Sequence, residues 1–469
     1  MESKYKKLGK NTVLVFVGQA GSSIVSMLML PLYTSWLSTE EYGAVDLMST
    51  YASILLSIVT CCVADSIFIF PKNANEEDKR KYFSSGLLFV LAISLFFFLI
   101  NCFTRVLYDE FLKVYSFHTI LLTVSMFLQK YAQQFTRCLE KMKVFATTGI
   151  VHTIGVALFS IILIPKYKLD GYIYALILSN LVTAIYTFFL SKSYVYFSFS
   201  AISNKHLKTL LVYGIPLIPN SIMWWLVTGL NRPIMETYLG LSAIGLFAVA
   251  SKFPSIVSMV SSVFSNAWGI SMLDEFGKPG FEVFFNKVFR LITFFSFFVA
   301  FWVIIFSKQI IALFTTESFY DAWHVLPLLV IGSIINTSTG LVGGVFMALK
   351  KSKYFFYSSF FSAIASITLT FLLIKEMGIF GCAAATTLSF AVGLILRIKF
   401  AWKYIKGFSI WRYFLSIILL LVLNLVLEAS YGAILKFLLY LSILFVMCFI
   451  YTEEIKSVIY KMSHIWKRF

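Results

Sequence analysis

The sequence predicts an all-α polytopic membrane protein of about fourteen transmembrane helices, arranged as two parallel six-helix lobes followed by two C-terminal helices. Three observations carry this. Of 469 residues, 59% are hydrophobic, 18% aromatic and only 13% charged, with a mean hydropathy of +0.86, far from the averages of soluble domains. The apolar runs mostly pass the roughly 20 residues a helix needs to cross about 30 Å of hydrocarbon, and they lack the alternation of a barrel strand. Finally, stretches of the first half recur about 200 positions later.

Taken in order, the basic segment MESKYKKLGK reads as a retained flank of span 1 (11–36), since no short apolar region with a small-residue cleavage site precedes it. Span 1 carries Gln19, Ser22 and Ser26 on one face. The turn STEEYG follows, and Ser38 with Glu41 has capping-box spacing for the start of the next helix. Span 2 (44–70) bears a polar stripe of Asp46, Thr50, Ser53, Ser57 and Thr60 at steps of three or four. After span 3 (83–108), span 4 (114–137) holds Gln129, Lys130, Gln133, Gln134 and Arg137 in two adjacent rows. Spans 5 (145–165) and 6 (171–191) complete the first copy.

Span 7 (208–231) is interrupted near its start by Pro216 and Pro219, which free backbone carbonyls and allow a bend. That bend is either a gating hinge or a static kink. The same span lines up Asn220, Trp224, Thr228 and Asn231. Spans 8 (243–271), 9 (284–314), 10 (322–349), 11 (354–374) and 12 (378–402) follow, and spans 13 (409–427) and 14 (431–452) lie beyond the repeat. The ridge Gly332, Asn336, Gly340, Gly344 in span 10 suits close helix packing.

With an even number of spans, 29 of the 39 basic residues fall in loops on the side of the N-terminus and seven in the opposite loops. The positive-inside rule then puts both termini in the cytoplasm and the STEEYG turn outside. At an offset of 202, Pro31, Leu37, Gly43, Ser49 and Ser53-Ile54 meet Pro233, Leu239, Gly245, Ser251 and Ser255-Ile256. At an offset of 210, Leu139, Lys141, Lys143 and Phe145 meet Leu349, Lys351, Lys353 and Phe355, and Gly171 meets Gly381. Residues 1–200 and 201–407 therefore read as two copies in one orientation, with 408–469 appended. Two similar bundles rocking about a shared centre are a standard transporter plan, although a channel or scaffold can also be duplicated.

Shifted by 202, the stripe of span 2 becomes Ala248, Lys252, Ser255, Met259 and Ser262, so Lys252 stands where the first copy has Thr50. For Lys130 and Lys252 two readings stand: snorkelling or a structural ion pair, or a central electropositive cavity suited to an anionic substrate, with Arg137 and Arg232 near its mouths. Gln19, Thr50, Ser53, Asn220, Asn231 and Ser255 would supply its polar face. Asp46 and Asp65 either bind a coupling cation or pair with a nearby base.

Other chemistry lacks its residues. The net charge of +17 is scattered between apolar runs and forms no nucleic-acid module. Six cysteines and five histidines show no metal-ligand spacing, no Walker A loop is present, and no nucleophile elbow or large loop could hold a catalytic cluster. No cofactor is expected, and a transporter is favoured over an enzyme.

Four stretches together resemble the polysaccharide-export branch of the multidrug/oligosaccharidyl-lipid/polysaccharide exporter superfamily, the Wzx-like flippases of O-antigen and capsule repeat units. They are GQAGSSIVSMLMLPLYTSWLSTEEYG (18–43), YGIPLIPNSIMWWL (213–226), LNRPIMETYLGLSAIGLFAVASKFPSI (230–256) and GCAAATTLS (381–389). The resemblance covers essentially the whole chain. It implies a V-shaped bundle in the bacterial inner membrane that moves an undecaprenyl-diphosphate-linked glycan outward, its lipid tail staying among membrane lipids, with a polymerase and chain-length machinery as partners. It also implies a cationic central cavity for the diphosphate and sugars. Relatives often have Asp-Arg where this chain reads Asn231-Arg232, and often an Arg near Phe68-Ile69-Phe70. The first departure removes a plausible ion-coupling acid or shifts that role to Asp46 or Asp65. The alternatives are a cation-coupled drug exporter of the same superfamily and a lipid-linked glycan polymerase or ligase.

Overall fold

The computed structural model describes residues 21–104, 110–255, 268, 272, 276–349, 351, 353–405 and 410–456; within these, regular structure is helical throughout. The chain forms two compact units, Met1–Ala248 and Val249–Phe469. The first therefore holds predicted spans 1–7 and the start of span 8.

In the first unit, helical residues 21–28 lead into α1 (Leu30–Trp36), which has Pro31 in its first turn, where a missing N–H costs nothing. α2 (Thr39–Val59) starts with the predicted capping box: the Glu41 N–H donates to Ser38 Oγ at 3.1 Å, and the Ser38 N–H donates to Glu41 Oε2 at 2.9 Å. Span 2 does not continue as one helix to residue 70. It breaks at Cys61 (φ 48°) and Cys62 (φ 51°) before the single turn α3 (Val63–Ser66). The cause is tertiary: Gly214 lies so close that a methyl there would sit 2.2 Å from the Cys61 carbonyl oxygen, and Ser66 Oγ donates to Leu210 O at 2.9 Å.

α4 (Glu76–Thr104) opens with Glu76, Glu77 and Asp78, the sign a helix N-terminus favours. α5 (Glu110–Cys138) packs against α2, α3 and α4. Phe83, Phe127, Tyr131 and Phe135 build the core there, with Tyr131 donating its hydroxyl to Phe83 O at 2.8 Å. α6 (Met142–Leu190) is a hairpin of spans 5 and 6 that turns at Lys168 (φ 51°, ψ −123°). The connection after it is clamped to the start of α4, where Ser84 bonds both Tyr196 O and Ser198 N–H, and Ser85 bonds both Ser203 O and its N–H.

Span 7 is broken as its prolines predict: α7 (Asn204–Gly214), a 3-10 turn (Ile215–Leu217), α8 (Ile218–Thr228) and α9 (Asn231–Leu239) follow one another. Gly240, at φ +79°, then turns the chain into α10 (Leu241–Ala250).

In the second unit, α11 (Phe281–Ile305), α12 (Ser307–Phe314), α13 (Leu326–Ala348), the hairpin α14 (Lys353–Ala401), α15 (Ile410–Glu428) and α16 (Ala433–Ile450) follow in order. α13 is the most enclosed span and α16 among the most exposed, its Ile434, Phe437, Phe445 and Phe449 facing outward. α14 turns at Gly378 (φ 54°, ψ −131°), 210 residues after Lys168. Thr148 with Thr187 in one hairpin and Ser358 with Arg397 in the other make hydrogen bonds at the same offset, so the two hairpins share turn and register.

Among the described residues nine helical segments are long and apolar enough to cross a membrane; two of these are the hairpins and one is the broken run Asn204–Leu239. α5, with its polar rows, is not among them, and spans 1 and 8 each include residues outside the description. The chain is a multi-pass helical membrane protein.

Candidate functional site

Polar side chains within the spans gather at two places in the first unit. The first is built on α2 and α9. Asp46 lies two turns into α2, and Arg232 stands at the start of α9, where the chain changes direction after Gly229. Arg232 Nε donates to Asp46 Oδ2 at 3.1 Å, with the two side chains 13% and 22% exposed. One Arg232 Nη donates to Asn231 Oδ1 at 3.0 Å and to Thr228 O at 2.5 Å, and the guanidinium rests 4.9 Å from the centre of the Phe247 ring on α10. Asn231 is buried. One planar cation thus ties α2, α8, α9 and α10 together, which suits the fork geometry and cation–π capacity of arginine.

The second cluster lies beyond the α2 break. Lys130 Nζ on α5 sits 3.0 Å from Asp65 Oδ2 on α3, both side chains about one-third exposed. Arg137, one row further along α5, is exposed and stacks over Phe68 at 4.2 Å and Phe145 at 5.7 Å. Between the clusters, span 7 runs along α2: Trp225 Nε1 donates to Thr50 O at 3.0 Å, and Gly229 approaches the Thr50 methyl. Ser53 and Asn220 are exposed, as are Pro216 and Pro219 at the break of span 7.

The structure therefore brings Asp46, Asn231 and Arg232 into one cluster and Asp65 and Lys130 into another. Lys252 and Ser255 belong to the second unit. There Lys252 has no ion-pair partner among the described residues, and Ser255 Oγ donates to its carbonyl. Gln19 lies outside the described residues. In this structure Asp65 pairs with Lys130 and Asp46 with Arg232. No group of three or more His, Cys, Asp or Glu side chains that could hold a metal occurs among the described residues.

One residue escaped sequence reasoning. Arg397 is one of the 29 basic residues assigned to the loops on the side of the N-terminus, yet it lies half-buried inside α14. Its Nε donates to Ser358 Oγ at 3.0 Å and its Nη1 to Thr339 O at 2.9 Å, with the Phe355 ring 4.8 Å away. Its alignment with Thr187 of the first copy, a position within a span, was the available signal.

The model of the polysaccharide biosynthesis protein family matches residues 8–268. Among curated relatives, a protein of the Lsg locus of Haemophilus influenzae is 24% identical over 56% of this chain and 65% of its own length. The capsular polysaccharide biosynthesis protein CapF of Staphylococcus aureus is 23% identical over 55% of this chain and 66% of its own length. The chain thus spans about two-thirds of each. Among solved structures, the lipid II flippase MurJ in an inward closed conformation is similar over 95% of this chain and 99% of that one, with TM-score 0.71 and 16% identity. A multidrug resistance MATE family transporter of the MOP superfamily, inward-facing, is similar over 83% of this chain and 94% of that one, with TM-score 0.62 and 14% identity. At these identities the likeness establishes the fold alone, one shared with these two structures. With more than half of its length matched by the family model, the chain belongs to the polysaccharide biosynthesis protein family.

Proposed function

We propose that this protein is a flippase that carries an undecaprenyl-diphosphate-linked oligosaccharide repeat unit from the cytoplasmic to the outer leaflet of the bacterial inner membrane, with both termini cytoplasmic. The observation that carries this reading is the family match, which ties the chain to polysaccharide assembly. A fold like that of a lipid II flippase suits a lipid-linked cargo. In this reading residues 1–200 and 201–407 alternate access to a central site, residues 408–469 are accessory, and polymerase and chain-length proteins take the product onward.

The diphosphate needs cations that are not already neutralised. Lys252 is the leading one, because no described carboxylate pairs with it, and Arg137 is exposed. Lys130 and Arg232 reach the substrate by exchanging a carboxylate for a phosphate. Asp65 and Asp46 are then the groups a coupling proton or cation would occupy when the exchange happens. Thr50, Ser53, Asn220, Asn231, Ser255 and Gln19 would contribute hydrogen bonds to the sugars, and Pro216 and Pro219 the bend of span 7.

The test is genetic and then biochemical. Deleting the gene is expected to abolish surface glycan, and a plasmid copy to restore it. Lys252→Ala and Lys130→Ala are expected to cut export about tenfold or more, as loss of a charge-assisted contact of roughly 1.5–3 kcal/mol does, with protein levels intact on immunoblots. Unchanged export from both variants would remove the cationic site. Altered drug resistance with normal glycan would favour the drug exporter.

A further inference from the structure

The turns STEEYG (38–43) and LGLSAIG (239–245), which align at the offset of 202, touch each other. Gly43 on α2 and Gly245 on α10 are equivalent at the offset of 202, and so are Thr39 and Leu241. A methyl group on Gly43 would lie 2.0 Å from the Leu241 carbonyl oxygen, and one on Gly245 would lie 2.0 Å from the Thr39 carbonyl oxygen. Each glycine therefore abuts the carbonyl one turn before its counterpart, a reciprocal contact that no other side chain permits. Beside it, Thr39 Oγ1 and Ser242 Oγ share a hydrogen bond of 2.7 Å. One turn deeper, Arg232 holds Asp46 of α2 and lies over Phe247 of α10.

The described contact includes two backbones at closest approach, one hydroxyl pair and one ion pair, and hydrogen bonds and ion pairs of this kind are individually weak enough to open and close. We propose that Gly43, Gly245, Thr39 and Ser242 form a latch that shuts the outer end of the transport path, and that α2 and α10 must part here for cargo to leave. This rests on the reading that the protein is an alternating-access transporter with these tips outside. The four are positioning residues: they hold the closed state and touch no substrate. Glycine at both positions lets the backbones meet with no side chain between them, so the seal is set by two residues and is lost when either gains a Cβ.

A cysteine-free protein carrying Thr39→Cys and Ser242→Cys tests the latch in intact cells. Oxidation is expected to cross-link the pair, to lower glycan export at least about tenfold by trapping one state, and to be reversed by reductant. A second readout needs no cargo. With Ser53→Cys added and the latch pair changed instead to Thr39→Ala and Ser242→Ala, labelling of residue 53 by an impermeant maleimide from outside is expected to rise severalfold. Gly43→Ala is expected to do the same. Absence of the cross-link, or full export by the cross-linked protein, overturns the latch, as does unchanged labelling in both the alanine pair and the correctly folded Gly43→Ala variant. If labelling responds while glycan export never depends on the protein, the latch stands and the flippase reading falls.

Discussion

Arg232 does the work of several residues. It satisfies Asp46, the Asn231 amide oxygen and the Thr228 carbonyl, and it lies on Phe247. Removing it leaves a carboxylate that is only 22% exposed without its partner, so Arg232→Ala is expected to destabilise the fold by about 1–3 kcal/mol. The neutral pair Asp46→Asn with Arg232→Gln keeps hydrogen-bonding capacity and removes both charges. It should recover most of that loss in a thermal unfolding series on detergent-solubilised protein, giving a coupling energy of about 0.5–3 kcal/mol in the double-mutant cycle. A double variant no more stable than Arg232→Ala would mean that the two charges do not interact. The sequence marks Asp46 as a polar group within span 2 and Arg232 as a base just beyond the end of span 7, but their partnership spans 186 positions and follows only from the fold. The same holds for Asp65 with Lys130, whereas the Ser38–Glu41 cap is local and legible at once.

The elements show the same division between local and distant causes. Hydrophobic run length fixes where helices lie, and proline chemistry marks the break of span 7, because both act within a few residues. The break of span 2 at Cys61 and Cys62 carries no glycine or proline, and it is imposed by Gly214 and Leu210, about 150 residues away. The two hairpins give a sharper comparison. Both turn with nearly the same backbone angles, but one places Gly378 there and the other Lys168. A residue with a Cβ in that region is strained by about 1–3 kcal/mol. Lys168→Gly should therefore raise the unfolding temperature, with a gain near 1 kcal/mol after the Lys168 Nζ bond to Trp36 O is lost, and Gly378→Lys should lower it by a similar or larger amount. A fall in unfolding temperature for Lys168→Gly would mean that the side-chain bond outweighs the strain. Pro216 lies in the 3-10 turn between α7 and α8. Pro216→Ala is expected to slow glycan export, as a stiffened joint slows a gated step; an unchanged export rate identifies a static bend.

For the whole molecule, the offset of 202 places Gly43 of the STEEYG turn opposite Gly245 of the LGLSAIG turn. Gly43 and Gly245 meet there, each against the backbone of the other's helix. The glutamates draw the eye in the sequence, but Glu41 is a helix cap and Glu40 is an exposed surface residue. The side of the membrane these tips face sets the direction of transport through the latch. The distribution of 29 basic residues against seven is the physical argument for outside, because positively charged loops resist translocation across the membrane. Glu40→Cys in a cysteine-free background settles it, since residue 40 is exposed at the tip. An impermeant maleimide is expected to label it in intact cells, while a cysteine at Lys79, at the start of α4, should label only after the membrane is opened. The reverse pattern would invert the topology, and the Gly43–Gly245 contact would then close the cytoplasmic end, turning the proposed exit into the entrance.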